Sequence, residues 1–323
     1  MTQSNAYKEE ISSQIPALQL LIALGWQYLT PHEALYLRGG REKDVVLTGV
    51  LEPWLREHNR VQLKGATYPF SDANIREAIN RLVNEPFQSL TLSNERIYEL
   101  LTLGTSLTQT IHGDRKSHSL RYIDWQHPEA NVYHVSDEFS MEKRGSHETR
   151  RPDIVLFVNG IPLAVVECKR PDLELESGEK AVAEAVSQML RNQGEGEIPH
   201  LFVPSQLLLA LSRNDALYAT TGTPKKFWSI WREEEEIDLI VQELINRPLA
   251  AVVQDRLYNW RPYARQVREH FDTLGERLPT EQDHLVYALL RPARLLELAY
   301  QFVVFDGGVK KIARYQQYFA IKA

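Results

Sequence analysis

The residue types best suited to chemistry lie in one stretch, RRPDIVLFVNGIPLAVVECKRP, residues 150–171. Asp153 opens one apolar run, and Glu167 and Lys169 close the next, spaced as Glu-x-Lys. Hydrolysis of a phosphodiester needs hard oxygen ligands that hold magnesium against the phosphate. It needs a metal-bound water of lowered pKa, and it profits from a cation that orients that water. Asp153 and Glu167 offer the carboxylates, the main-chain carbonyl of Cys168 a third oxygen, and Lys169 the cation. A blander reading takes Asp153 as a strand-start residue and Lys169 as a solvated surface lysine. Context weighs against it: Arg-Pro-Asp precedes an apolar strand, and a buried strand that ends in Glu and Lys needs a reason.

The strands that carry these groups are legible in the same residues. DIVLFV and PLAVVEC read as strands, and Asn159-Gly160 between them is a strong hairpin signal. Side chains alternate across a strand, so Glu167 and Lys169 share a face and Cys168 points to the other. A two-residue turn would set Asp153 opposite Val166, on the wrong face. A three-residue loop, Val158-Asn159-Gly160 with Gly160 left-handed, sets Asp153 opposite Val165, on the face of Glu167 and Lys169. The chemistry therefore predicts an odd loop or a bulge.

Around this hairpin the chain alternates in character. Ile11, Ile15, Leu18, Leu21 and Ile22 have helical spacing, with Gly25 as C-cap and Trp26 opening the next element. Helices are expected over 44–57, over 72–84 with Ser71 or Asp72 as N-cap, and from Asn94 to Leu103 before Gly104. Residues 107–170 read as strands, among them SLRYIDW and NVYHVSDEF. Helix returns over 178–193, where Ala181, Ala185, Gln188 and Met189 share a face, and HLFVPSQLLLALS predicts one or two buried strands. Residues 224–275 are helical and charged, with a solvated run from Glu233 to Glu236. A helix over 292–301 leads to a turn at Gly307-Gly308. This order predicts an α/β fold, a mixed sheet flanked by helices, divided at 1–220, 221–290 and 291–323.

Composition narrows the classes. Across 323 residues, 43% are hydrophobic and 25% charged, an ordinary globular profile. The net charge of −6 is unlike that of a protein that only coats DNA, so any nucleic-acid contact must come from a local patch or from partners. One cysteine, Cys168, excludes an intrachain disulfide and a multi-cysteine zinc site. Apolar runs fall short of the roughly 20 residues that span a bilayer, and the opening MTQSNAYKEE carries no apolar signal region. A cytoplasmic protein without membrane contact is expected. His112, His118, His127, His134 and His147 show no regular ligand spacing. There is no G-x-S-x-G elbow and no G-x-x-x-x-G-K-[ST] phosphate loop.

The segment RPDIVLFVNGIPLAVVECK resembles the nuclease domain of the restriction (motor) subunit of type I restriction–modification enzymes, a member of the PD-(D/E)xK superfamily. LGWQYL at 24–29, TGTPKKFWSIW at 221–231 and FVVFDGGVKKIARYQQYFA at 302–320 extend the likeness along the chain. The resemblance implies a restriction-endonuclease-like fold with a helical C-terminal extension, and a magnesium-dependent endonuclease acting on double-stranded DNA within a larger ATP-driven complex. It implies that Asp153 and Glu167 bind Mg2+ and that Lys169 assists catalysis. Methylation and specificity subunits are the implied partners, the specificity subunit carrying the recognition of DNA sequence.

In related nucleases a later helix carries Gln-x-x-x-Tyr; Gln188 matches, while Asn192 stands at the tyrosine position. Gln188 equally reads as a residue that caps or packs on the sheet. The first helix of such folds often adds a glutamate, for which Glu9 and Glu10 are candidates, with Gln14 near the same place. ARYQQYFAI resembles the segment before the first helicase motif, which makes Gln317 a candidate for binding the adenine of ATP. Tyr315, Tyr318 and Phe319 equally read as helix core. The family continues into two motor lobes, so residues 291–323 are expected to begin an incomplete motor domain, with ATP a cofactor of the full-length subunit only. A reading from another class keeps the fold as a non-catalytic module that docks the motor on its partner subunits. The intact Asp153, Glu167 and Lys169 favour the nuclease; the acidic charge and Asn192 favour the module.

Overall fold

The computed structural model describes residues 7–172 and 180–323. Its central sheet has six strands: β1 (Gln27–Leu29), β2 (Tyr133–Asp137), β3 (Ile154–Val158), β4 (Ile161–Lys169), β5 (Leu207–Ser212) and β6 (Asp215–Ala219). They lie side by side in that order. The pairs β1–β2 and β4–β5 are parallel, and β2–β3, β3–β4 and β5–β6 are antiparallel. The sheet is therefore mixed, as expected. β3 and β4 are buried along their whole length, as befits near-continuous runs of Val, Ile and Leu with both faces covered.

Three helices matter most for those faces: α1 (Ile15–Ala23), α2 (Ala181–Asn192) and α3 (Glu281–Leu290). Alternation along β3 sends Ile154, Leu156 and Val158 into the core with Leu18, Leu21, Leu285 and Leu289. It sends Val155 and Phe157 to the opposite core, with Val182, Val186 and Met189 of α2. The helix α1 ends where glycine permits: Gly25 has φ 102°, and the N–H of Trp26 reaches back to the carbonyl of Leu21 at 3.1 Å. The α3 helix is tied to the segment just before α1 by Ser13 Oγ donating to Gln282 Oε1 at 2.6 Å, and to the chain after α1 by Trp26 Nε1 donating to the Leu290 carbonyl at 2.8 Å.

Several expected elements differ. HLFV is not strand: Pro199–Phe202 is a helical turn, with Pro199 at its first position where a missing N–H costs nothing, and β5 starts at Leu207. SLRYIDW contributes only its first residues to a strand, Asp114–Leu120, which pairs with Thr105–Ile111 in a separate hairpin. The helix over 44–57 begins at Thr48. Another, Pro31–Leu37, was unforeseen although Thr30 and Glu33 form a capping box. The charged stretch after 224 breaks into helices Asp238–Ile245, Ala251–Tyr258 and Ala264–Thr273. Beyond α3 come helix Pro292–Gln301, a hairpin Val303–Asp306 with Val309–Ile312, and helix Tyr315–Lys322. Among the described residues no helix is long and apolar enough to cross a membrane.

Candidate active site

The β3–β4 hairpin sets the geometry. Asn159 and Gly160 both take left-handed conformations, φ 51° and 81°, so the turn has two residues and Val158 pairs with Ile161. The non-glycine left-handed residue is held by its side chain: Asn159 Oδ1 accepts from the Val132 N–H, and Nδ2 donates to the Tyr122 carbonyl and Asn131 Oδ1. The three-residue loop expected from sequence is therefore absent. Parity is restored one step later, by a bulge between Pro162 and Ala164 that absorbs Leu163. Pro162 has no N–H to give a ladder, and bulges are where strands tolerate that. Beyond the bulge Val165 pairs with Val155 and Val166 with Ile154, so the next positions, Asp153 and Glu167, fall on one face.

The charged groups converge there. Lys169 Nζ lies 3.1 Å from Glu167 Oε1, 3.7 Å from Glu9 Oε1 and 4.0 Å from Asp153 Oδ2. It also donates to the Cys168 carbonyl at 2.9 Å, while the Cys168 N–H donates to Asp153 Oδ2 at 2.6 Å. Glu167 has no exposed surface and Lys169 only 1%. Burial raises the pKa of Asp153, against the pull of Lys169. Burial raises Glu167 well above its usual range, and the Asp153 charge adds to this. Burial opposes the Lys169 charge, but Asp153, Glu167 and Glu9 outweigh it, and its pKa ends above the usual range.

The first-helix candidates now separate. Glu9 joins the site, and burial pushes it up to about 7 in spite of Lys169. Glu10 turns away, to Arg261 at 3.2 Å. Gln14 Nε2 donates to the Asp153 carbonyl at 3.1 Å and to Glu138 Oε1 at 3.2 Å. Glu138 was missed from sequence. Its N–H donates to the Asp153 carbonyl at 3.1 Å, it has φ 47°, and burial followed by the Asp153 charge lifts it to about 7. The signal that singled out Glu167, acid closing an apolar strand, was present in YHVSDEF as well.

Gln188 sits half-exposed on α2, and no hydrogen bond joins it to Asp153, Glu167 or Lys169 among the described residues. Asn192 is buried, its carbonyl accepting from the Ile198 N–H. Gln317 caps the last helix: its Oε1 accepts from the Arg314 N–H at 2.9 Å. Tyr318 is buried and Tyr315 and Phe319 pack against the core.

Among the described residues no three His, Cys, Asp or Glu side chains are grouped to enclose a metal unaided. Magnesium asks for less, usually one or two carboxylates completed by waters and substrate phosphate. Glu167 Oε2 is buried and receives no donated hydrogen bond among the described residues, while the Glu167 and Asp153 carboxyls hydrogen-bond each other, two acids in contact whose mutual repulsion a bound cation would relieve. Lys169 already places positive charge against Glu167 Oε1 and the Cys168 carbonyl. The donor set is thus hard oxygen around a centre that attracts cations, and it fits magnesium in kind.

Fold and site together define a mixed α/β protein with a buried carboxylate–lysine cluster at a sheet end. The chain belongs to the family described as "Type I restriction enzyme R protein N terminus", whose sequence model matches residues 6–227. It is 24% identical, over 94% of its length, to the "Type I restriction enzyme HindI endonuclease subunit" of Haemophilus influenzae, covering 25% of that protein. It is 26% identical, over 95% of its length, to the "Putative type I restriction enzyme MjaIXP endonuclease subunit" of Methanocaldococcus jannaschii, covering 26% of it. The chain thus spans about a quarter of the length of these relatives.

Proposed function

We propose that this chain is the nuclease part of a type I restriction enzyme, a PD-(D/E)xK site that hydrolyses phosphodiester bonds of double-stranded DNA with Mg2+. The observation that carries it is the convergence of Asp153, Glu167 and Lys169 at one sheet end, with the two carboxyls in contact and Lys169 beside both. Asp153, Glu167 and the Cys168 carbonyl would hold the metal. Bound magnesium lowers the pKa of a water and offsets charge developing on the phosphate. Lys169 orients the attacking water and a phosphate oxygen. Glu9 Oε1, 3.7 Å from Lys169 Nζ and titrating near 7, is placed to take up a proton. Gln188, half-exposed on α2, would contact the substrate backbone. The work is done in the cytoplasm by a complex with methylation and specificity subunits, and ATP, with Gln317 toward its adenine, serves the full-length subunit.

Burial of the cluster supports the second reading, a docking module without catalysis, because a substrate needs access that a buried Glu167 and Lys169 restrict. Cleavage assays on the assembled full-length enzyme separate the two. Loss of magnesium-dependent cleavage on Glu167→Gln, with assembly and ATP hydrolysis kept, supports the nuclease. Undiminished cleavage leaves only the module.

A further inference from the structure

A second charged cluster stands behind the candidate site and takes no part in its chemistry. At its centre is Arg261, which connects helices Ala251–Tyr258 and Ala264–Thr273 and whose side chain has no exposed surface. One guanidinium nitrogen donates to Asp137 Oδ2, another to Glu10 Oε1 at 3.2 Å, and Nε to the Leu257 carbonyl at 3.0 Å. The ring of Trp260 lies beneath at 4.6 Å, and its Nε1 donates to the Tyr28 hydroxyl at 2.8 Å. Tyr28 in turn donates to Asp137 Oδ1 at 2.7 Å, so both Asp137 oxygens are engaged.

The two carboxylates that Arg261 grips are the chain neighbours of two that enter the site. Glu10 follows Glu9, whose Oε1 is 3.7 Å from Lys169 Nζ. Asp137 precedes Glu138, which meets Asp153 through Gln14 and through its own N–H. Asp137 ends β2 and Glu10 opens the helical segment Glu10–Gln14, and each reaches Arg261 while its chain neighbour, Glu138 or Glu9, reaches the site. Glu138 holds a left-handed backbone at φ 47°, which persists only where the surroundings impose it. The N–H groups of Glu138 and Phe139 donate to the Asp153 and Pro152 carbonyls, and the anchored Asp137 fixes the residue from its other side. We infer that Arg261 is a positioning residue: by fixing Glu10 and Asp137 it sets where Glu9 and Glu138 stand relative to Asp153 and Lys169. The residue lies beyond the family-matched span of 6–227, so the helical segment after that span supplies part of the site's support. This inference rests on the proposed metal site.

The test uses the whole chain with terbium as the probe, its luminescence sensitised by nearby Tyr and Trp. The double variant Arg261→Met/Asp137→Asn removes the fully buried pair together and leaves only Glu10, whose side chain keeps 16% of its surface exposed, without its cation. Its melting temperature is expected to stay within a few degrees of the parent, with terbium affinity about tenfold weaker, the scale of losing an outer-shell support. A folded double variant with the parent's affinity overturns the inference. Should that variant fail to fold, Arg261→Lys keeps a cation against Asp137 but loses the fork that also reaches Glu10. It is expected to bind terbium several-fold more weakly, and parent-like binding overturns the inference equally. Glu167→Gln is the control. Terbium binding that survives it unchanged removes the metal-site reading itself, and the role of Arg261 with it.

Discussion

Glu167 closes a fully buried strand, has no exposed surface, and holds its carboxyl against that of Asp153, with no donated hydrogen bond to its Oε2 among the described residues. A position tuned for stability would hold an apolar residue or a satisfied one, and the cost is understandable if the carboxylate exists to meet a cation. The expectation for the complete enzyme is therefore sharp. Asp153→Asn, Glu167→Gln and Lys169→Met should each slow DNA cleavage by about 10²-fold or more while sparing ATP hydrolysis, because in the proposed function these groups would act only on the cleavage transition state. Glu9→Gln should cost no more than the low end of that range, about 10²-fold, because the proposed proton acceptor is lost while Lys169 keeps Glu167 and Asp153. Single-turnover cleavage with parallel ATPase measurements checks both. Equal loss of both activities in every variant would point to misfolding or failed assembly instead.

Among the elements, the hairpin between β3 and β4 is the device that makes the site. Its turn needs a residue without Cβ: at Gly160 a Cβ would stand 2.4 Å from the Leu47 carbonyl oxygen, at φ 81°. Gly160→Ala should cost about 1–2 kcal/mol for the left-handed backbone alone, and more for the clash. Guanidinium unfolding of the variant measures this, and a midpoint equal to the parent's would mean the turn is not a constraint. The next strand over, β2, carries a titration of opposite sense to that of the site. Burial, then the Arg256 charge, depresses His134 to about 4 from 6.5. A depressed histidine contributes stability that is present above pH 6.5 and lost as pH falls toward 4, about 3 kcal/mol in all. Glu9 and Glu138, raised to about 7 from 4.5, run the other way and favour folding as pH falls from 7. The contribution of His134 is thus read as a difference: between about pH 7.5 and 4.5 the urea midpoint of His134→Gln should fall less than that of the parent.

The whole molecule is more continuous than its sequence segments. The core on the α1 side of the sheet draws on Leu18 and Leu21, on Val166 of β4, and on Leu285, Leu289 and Leu296 from far along the chain. Trp26 and Ser13 reach α3 by hydrogen bonds. Cutting the chain after residue 227, where the family match ends, should therefore expose one face of the sheet. The truncated protein should lose a cooperative melt or aggregate, and a sharp melt like the parent's would show that α3 is dispensable. No loop of the G-x-x-x-x-G-K-[ST] form occurs in the 323 residues, and phosphate-binding amides with a lysine are what ATP hydrolysis requires. The purified chain should accordingly turn over no ATP, with or without DNA; DNA-stimulated turnover that persists on repurification would refute this.

Local and periodic features were legible along the chain before any fold was known. Apolar runs marked β3 and β4, Gly25 marked the end of α1, Ser71 capped the helix Asp72–Val83, and Asp153, Glu167 and Lys169 stood out as charges where strands begin and end. Parity also required an irregular hairpin, because side chains alternate whatever the fold. Tertiary contacts settled how that irregularity arises. A two-residue turn is held by Asn159 and Gly160, and the extra residue moves into the strand at Leu163, beside a proline that has no ladder hydrogen to lose. The same contacts chose Glu9 over Glu10, brought in Glu138, and turned Glu10 toward Arg261, 251 residues away in sequence. Such choices depend on which buried charge finds which partner across the core, and those pairings leave no periodic trace along the chain.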